Sequence, residues 1–118
     1  MILPMPIVKK LPVAKEGEIA PGRAKSFRYG FRNGIAYNDN GTLKAYVNFC
    51  PHMGGPTDLT SSGVFRCRWH GAEFDPASGD RLCGQAPEGT RLQPIELVVE
   101  DGQVLAVWVV PEEDGITA

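Results

Sequence analysis

The chain has 118 residues, of which 42% are hydrophobic and 22% are charged, and its formal net charge at neutral pH is −2. This length corresponds to one domain, so residues 1–118 are expected to fold as a single unit. The balanced charge excludes the strongly basic surface of a nucleic-acid-binding protein, and no apolar run reaches the roughly 18–20 residues needed to span a membrane.

The N-terminal stretch MILPMPIVKKLP contains three prolines and lacks the basic region and small-residue cleavage site of a secretory signal. The three cysteines are an odd number, which does not favour a disulfide framework. We therefore expect a cytoplasmic protein, in which reduced cysteines bind metal more often than they pair with each other.

Glycine and proline divide the chain into short segments, and turns are predicted at 21–22, 33–34, 39–41, 62–63, 78–80 and 101–102. The strands predicted between them are 26–32, 35–38, 42–49, 63–67, 72–75, 95–100 and 104–110. Strand 42–49 alternates, with Leu43, Ala45, Val47 and Phe49 on one face. The last two strands are joined across EDGQ, a strong hairpin signal. No stretch of 12 or more residues has a helical period, and the sequence therefore predicts an all-β fold.

Both histidines and all three cysteines lie within residues 50–83. They form two pairs, Cys50-x-His52 and Cys67-x-x-His70, with fourteen residues between the pairs. Each pair follows a predicted strand and enters a loop that contains glycine, the kind of position where sites are built on a β scaffold. Two such loops, each giving one thiolate and one imidazole, would form a Cys₂His₂ metal site.

Two kinds of metal centre accept these four ligands. Zinc binds them tetrahedrally, but zinc fingers usually group the cysteines in one pair and the histidines in the other. In a two-iron cluster, the cysteines can hold one iron and the histidines the other, so that each loop contributes to both ends. The mixed pairs favour the iron–sulfur cluster, and a structural zinc module remains the alternative.

The segments CPHMGGPT at 50–57 and CRWHGAEFDPASG at 67–79 closely resemble the signature of the Rieske [2Fe–2S] family. The resemblance implies an antiparallel β-sandwich with a small inserted cluster-binding subdomain of two loops, at about 48–85. It also implies that Cys50 and Cys67 hold the inner iron and that His52 and His70 hold the outer one. The C-terminal segment at about 111–118 is expected to be a loose tail.

The resemblance also predicts where the reduction potential lies. High-potential members of the family carry a disulfide at the positions of Gly55 and Trp69, and serine and tyrosine hydroxyls at the positions of Ala72 and Phe74. The two cysteines, the serine and the tyrosine are all absent here. Because fewer donors to the cluster sulfurs stabilise the added electron less, we expect a potential near the bottom of the Rieske range of about −150 to +300 mV.

The function implied by the resemblance is that of a soluble one-electron ferredoxin. It would pass electrons from an NAD(P)H-dependent reductase to an oxygenase or similar acceptor through transient contacts. It would not be an enzyme, because the chain lacks the third histidine that a mononuclear oxygenase iron site would need. The alternative is a small Rieske-like subunit of a larger oxidoreductase, such as a nitrite reductase.

Several neighbouring residues have expected roles of their own. Cys83 lies outside both motifs and is expected to be a semi-buried free thiol. Arg66 and Arg68 flank Cys67 and could face an acidic patch on a partner, although a solvated pair is favoured. Trp108 lies in the last predicted strand and is expected in the core, while Trp69 could either shield the cluster or pack on the scaffold.

Overall fold

The computed structural model describes residues 7–49, 56–69, 71–84 and 89–110. Ten strands and no helix are found in these ranges, so the all-β prediction is confirmed. Within them, no helix is long and apolar enough to cross a membrane. The strands are β1 (Ile7–Lys15), β2 (Ala24–Tyr29), β3 (Arg32–Asp39), β4 (Thr42–Val47), β5 (Thr57–Leu59), β6 (Phe65–Cys67), β7 (Glu73–Phe74), β8 (Arg81–Cys83), β9 (Leu97–Glu100) and β10 (Gln103–Val110).

The strands form three antiparallel sheets, which we name A, B and C. Sheet A has the order β1-β10-β9, sheet B the order β2-β3-β4, and sheet C the order β5-β6-β7-β8. The hairpin predicted across EDGQ is confirmed, since Gln103 pairs with Glu100 and the turn lies at Asp101 and Gly102. Both turn residues have positive φ angles, of 52° and 76°, as a tight type I′ hairpin turn requires.

Sheet B departs from the sequence prediction at its first turn. The turn lies at Gly30 and Phe31, inside the predicted strand 26–32, and the predicted NG turn at 33–34 lies within β3. The β2–β3 register pairs Phe27 with Gly34, and the Phe27 ring lies directly against Gly34, where an added Cβ would come within 2.4 Å of the ring. The packing of this ring on Gly34 therefore outweighs the preference of the NG dipeptide for a turn.

Strand β1 was not predicted from the sequence. It pairs with β10 along its whole length, with an irregularity in the register between Pro12 and Ala14. Because β1 is an edge strand, Pro12 is tolerated there, where a backbone donor is not required on the outer side. The three-residue strands β5 and β8 were also missed.

Sheet B is the middle layer of the molecule, with a hydrophobic cluster against each face. Successive residues along its strands belong to alternate clusters. Ala36 and Ala45 pack toward sheet A, whereas Ile35 and Tyr46 pack toward sheet C. The alternation predicted for β4 is confirmed for Leu43, Ala45 and Val47, which belong to the first cluster. The next residue in the pattern, Phe49, is instead 49% exposed. The second cluster comprises Ile35, Tyr46, Phe65, Cys67, Ala72, Phe74 and Leu92.

Candidate metal centre

Cys67 ends strand β6, and its side chain is only 2% exposed. Its backbone N–H donates to the carbonyl of Ala72 at 2.8 Å, and its carbonyl accepts from the N–H of Gly71 at 3.0 Å. These two bonds hold Gly71 and Ala72 against the backbone of Cys67, whose side chain belongs to the second cluster. The residue predicted as a ligand is therefore held in a buried and well-defined position.

Gly71 is needed in the loop that follows Cys67 for its backbone conformation. Its φ angle is +74°, in the left-handed region that side chains rarely adopt. An added Cβ would also lie 3.1 Å from Nη2 and 3.3 Å from Nε of Arg66, because the guanidinium of Arg66 rests on the glycine.

The two ends of the first predicted loop are joined by a pair of side chains that sequence reasoning missed. The Asn48 amide oxygen accepts from both the backbone N–H and the hydroxyl of Thr57, at 2.7 and 2.9 Å, and the Asn48 amide nitrogen donates to the Thr57 carbonyl at 3.2 Å. Thr57 in turn pairs with Cys67 across β5 and β6. Thr57 is therefore held opposite Cys67 and bonded to Asn48, and these two residues flank the first motif.

Three of the four predicted ligands, Cys50, His52 and His70, lie outside the described residues, as do Gly55 and the predicted tail at 111–118. Cys67 lines an open cavity of about 760 Å³, together with Asp58, Thr60, Arg66, Arg68, Trp69 and Gly71. A buried thiol at a cavity of this size suits a soft metal centre, since thiolate is the ligand that iron–sulfur clusters require. The described residues therefore fit a [2Fe–2S] cluster, and the full ligand set remains a prediction.

Arg68 is paired with an acidic residue on the wall of the cavity. Its guanidinium makes a two-point contact with the Asp58 carboxylate, with Nη2 3.0 Å from Oδ1 and Nε bonded to Oδ2. The hydrogen bond lowers the pKa of Asp58 and raises the pKa of Arg68. Both side chains are more than half exposed, so this pair orients Arg68 more than it stabilises the fold.

Cys83 was expected to be semi-buried, and this prediction is wrong. The thiol is free and exposed, because it lies on β8 at the edge of sheet C. Its Sγ donates to Oε1 of Glu73 at 3.3 Å. That hydrogen bond, with burial and the Glu73 charge, raises the pKa of the Cys83 thiol.

The structure decides between the two roles expected for Trp69, and it places Trp108 at the margin of the core that was expected to contain it. Trp69 is 58% exposed and lines the cavity rather than packing on the scaffold. Trp108 is only partly buried, and its ring packs near Tyr29 and Phe31 with centroid distances of 6.3 and 6.5 Å.

The two positions expected to lack hydroxyl donors both lie in the core beside Cys67. Ala72 and Phe74 are completely buried in the second cluster. The buried tyrosine of this cluster, Tyr46, donates its hydroxyl to the carbonyl of Pro76 at 2.8 Å. Burial raises the pKa of Tyr46 to about 12, so this hydroxyl stays protonated at neutral pH.

The three antiparallel sheets and the buried Cys67, which begins the C-x-x-H-G motif of the sequence, agree with an iron–sulfur domain of the Rieske class. The model of the Rieske [2Fe-2S] domain family matches residues 9–96, which is most of the chain. The chain therefore belongs to this family. Rieske domains are electron-transfer components that bind a [2Fe–2S] cluster through two cysteines and two histidines.

The matches to individual curated proteins cover less of the chain than the match to the family model does. Apoptosis-inducing factor 3 of mouse and of human is 34% identical over 65 residues, a match that covers 53% of this chain and 11% of those proteins. The chain thus spans about a tenth of the length of these curated relatives. The ferredoxin of carbazole 1,9a-dioxygenase from Nocardioides aromaticivorans IC177 superposes with a TM-score of 0.64 at 19% identity, covering 82% of this chain and 95% of the ferredoxin.

A ferredoxin in a complex of reduced oxygenase and oxidized ferredoxin of carbazole 1,9a-dioxygenase gives a TM-score of 0.62 at 24% identity. The superposition covers 82% of this chain and 91% of the other. At these identities, both structural matches establish the fold alone.

Proposed function

We propose that this protein is a Rieske-type ferredoxin that carries single electrons from an NAD(P)H-dependent reductase to an oxygenase or similar acceptor. The observation that supports the proposal most is the buried Cys67 thiol, which lines the cavity and pairs across β5 and β6 with Thr57, the last residue of the first motif. Thr57 is in turn hydrogen-bonded to Asn48, which precedes that motif. Cys50 and Cys67 would supply the thiolates, and His52 and His70 the imidazoles. When bound, the [2Fe–2S] cluster takes up and releases one electron at a time.

The scaffold around Cys67 favours a low reduction potential. Two ferric ions, two sulfides, two thiolates and two neutral imidazoles sum to zero charge, so Rieske centres are reduced more easily than all-cysteine clusters. Within that range, donors to the sulfurs and to the cysteine ligands raise the potential. Ala72 and Phe74 offer no such donors. We propose a potential near the bottom of the Rieske range and below about +100 mV.

The partner classes are proposed by analogy with the solved structures. One of them is described as a complex of reduced oxygenase and oxidized ferredoxin, and that protein has the same fold as this chain. On the sequence grounds given above, we also propose that residues 1–118 act as one domain with an inserted cluster-binding subdomain at about 48–85. We further propose that the carrier works in the cytoplasm and has no catalytic site of its own.

An EPR spectrum of anaerobically purified protein, recorded before and after dithionite reduction, tests the proposal. We expect a rhombic signal that appears only on reduction, with a mean g value below that of an all-cysteine cluster. Cys67→Ser should lose the signal and the bound iron, whereas the matched variant Cys83→Ser should keep both. A protein that stays silent in both states and contains zinc would instead establish the structural zinc module.

A second candidate is a Rieske domain or subunit that works inside a larger oxidoreductase, as in nitrite reductases. One observation favours it, namely that the relatives at 34% identity match this chain over only 11% of their own length. Size-exclusion chromatography of the protein at its native expression level distinguishes the two. A free ferredoxin elutes at the size of this chain, whereas a subunit elutes in a stable complex with a larger polypeptide.

A further inference from the structure

The outer face of sheet C carries a row of residues paired across its four strands. Arg66 pairs with Asp58 on one side and with Glu73 on the other, and Glu73 pairs with Cys83. Directly opposed residues in an antiparallel sheet have close Cβ atoms and normally satisfy each other's charge. Arg66 therefore stands between two carboxylates in register.

Arg66 forms an ion pair with neither carboxylate. The Asp58 carboxylate is engaged by both nitrogens of the two-point contact from Arg68, and a Glu73 oxygen accepts the Cys83 thiol. The ion pairs found among the described residues do not include Arg66. Its guanidinium turns instead onto Gly71, on the loop that follows Cys67.

This arrangement places the Arg66 guanidinium on the cavity wall, whereas Glu73, its neighbour across the strands, does not line the cavity. The charged residues that line the cavity are Asp58, Arg66 and Arg68. Among the described residues of the lining, Asp58 offsets Arg68, so the side chains that face the cavity carry the single charge of Arg66, while the chain as a whole carries −2. The local charge and the overall charge therefore have opposite signs.

We propose that Arg66 makes the rim of this cavity, formed by Arg66, Arg68 and Trp69, selective for anionic electron-transfer partners. Such partners are proteins whose docking surface is rich in carboxylates. The inference rests on the proposed function, since it assumes that electrons leave and enter at this cavity. A positive rim on a net-negative protein steers encounters toward acidic surfaces and turns the rest of the molecule away from them. Trp69, which is exposed in the same lining, adds the aromatic contact area that transient interfaces favour.

Two inorganic oxidants of opposite charge test the proposal without a protein partner. The protein is reduced anaerobically and then mixed with ferricyanide (−3) or hexaammineruthenium(III) (+3) in a stopped-flow instrument. In each reaction one electron passes from the reduced protein to one metal complex, so that iron(III) or ruthenium(III) becomes iron(II) or ruthenium(II). The ratio of the two rate constants reports the charge at the exit surface, because a change in reduction potential moves both rates in the same direction.

The variant Arg66→Gln should lower the ferricyanide rate by about fivefold at roughly 10 mM ionic strength and raise the hexaammineruthenium rate by a similar factor. The difference should shrink at roughly 150 mM ionic strength, where the screening length is about 8 Å. Asp58→Asn frees Arg68 from its partner and should shift the ratio toward ferricyanide. The matched control is Arg23→Gln, which removes the same overall charge from an exposed position outside the cavity lining.

The outcomes separate this inference from the function on which it rests. If Arg66→Gln and Arg23→Gln change the ratio equally, overall charge governs the encounter and the inference is wrong. It is also wrong if wild-type protein with a normal EPR signal reacts with a ratio that none of the variants alters. If wild-type protein assembles no cluster, the proposed function itself fails.

Discussion

At the scale of single residues, a hydroxyl group added at Phe74 should change the reduction potential most directly. Phe74→Tyr adds a hydroxyl to a completely buried site in the cluster that contains Cys67. A hydrogen bond contributes about 0.5–1.5 kcal/mol, and if it favours the reduced state, a one-electron potential rises by about 20–60 mV. We expect this increase in an EPR-monitored redox titration.

The matched control for that change is Phe65→Tyr. Phe65 is equally buried in the same cluster, between the rings of Tyr37 and Tyr46, but it does not occupy the hydroxyl position of the Rieske signature. Its extra hydroxyl should cost stability without raising the potential. If both variants raised the reduction potential equally, the general polarity of the core would set the potential. The assigned role of the position of Phe74 would then be wrong.

Glu73 should control the reactivity of the Cys83 thiol with pH. A carboxylate that accepts the S–H proton stabilises the neutral thiol, and the pKa of Cys83 is accordingly raised. The reactive thiolate therefore forms only at a higher pH than in an ordinary cysteine. Glu73→Gln removes the charge and should lower the pKa, so that iodoacetamide labels Cys83 several-fold faster at pH 8.

Mass spectrometry of the peptide that contains Cys83 measures this labelling separately from the other cysteines. Glu96→Gln is a suitable control, because Glu96 is an exposed glutamate and the carboxylate that accepts from the Cys83 thiol is that of Glu73. A labelling rate that is the same in wild type and Glu73→Gln at every pH would contradict the assigned role of the hydrogen bond.

The ligand motifs could be identified from the sequence because their spacing is local. The Asn48–Thr57 contact and the Asp58–Arg68 pair could not, because both join residues nine or ten positions apart. The Asp58–Arg68 pair depends on the register of β5 against β6, and the Asn48–Thr57 contact depends on where β5 lies relative to the end of β4. No pattern within a single strand specifies either arrangement. The exposure of Cys83 was predicted wrongly for a similar reason, since its position at a sheet edge follows from the strand order.

At the scale of the strands, Gly34 should be the most sensitive glycine of sheet B. A methyl group there would overlap the Phe27 ring at 2.4–2.8 Å, and Phe27 belongs to the first hydrophobic cluster. Gly34→Ala must displace the ring, which should lower the free energy of unfolding by about 2–3 kcal/mol. Urea denaturation measures the loss.

A second substitution checks that the ring is the cause. In the double variant Phe27→Leu with Gly34→Ala, the smaller side chain leaves room for the methyl group. The two changes should therefore be less than additive. Strict additivity would show that Gly34 is needed for another reason, such as backbone conformation.

The turns and strands were predicted with unequal success for physical reasons. Turns at 21–22, 39–41 and 101–102 are confirmed because glycine, asparagine and aspartate there adopt positive φ angles. The NG at 33–34 was misread because a buried aromatic ring overrides a local turn preference. Strand β1 was missed because its proline and three lysines are untypical of a strand, and only its pairing with β10 defines it.

At the scale of the whole molecule, the two hydrophobic clusters should depend on the metal centre to different degrees. The first cluster joins sheets A and B and contains none of the predicted ligands. The second joins sheets B and C and contains Cys67. Sheet C consists of strands of only two or three residues, which provide few backbone hydrogen bonds of their own. Sheet C should therefore rely on metal–thiolate bonds for its stability.

Hydrogen exchange of the protein with and without its cluster measures this difference strand by strand. After iron is removed by a chelator under reducing conditions, amides of β6 and β7 should exchange at least about tenfold faster, a loss of ~1.4 kcal/mol of local stability. Amides of β3 and β10 should change by less than about twofold, since the first cluster is intact. If all strands lost protection equally, the three sheets would unfold as one cooperative unit, and the metal centre would stabilise the entire fold rather than the layer that contains Cys67.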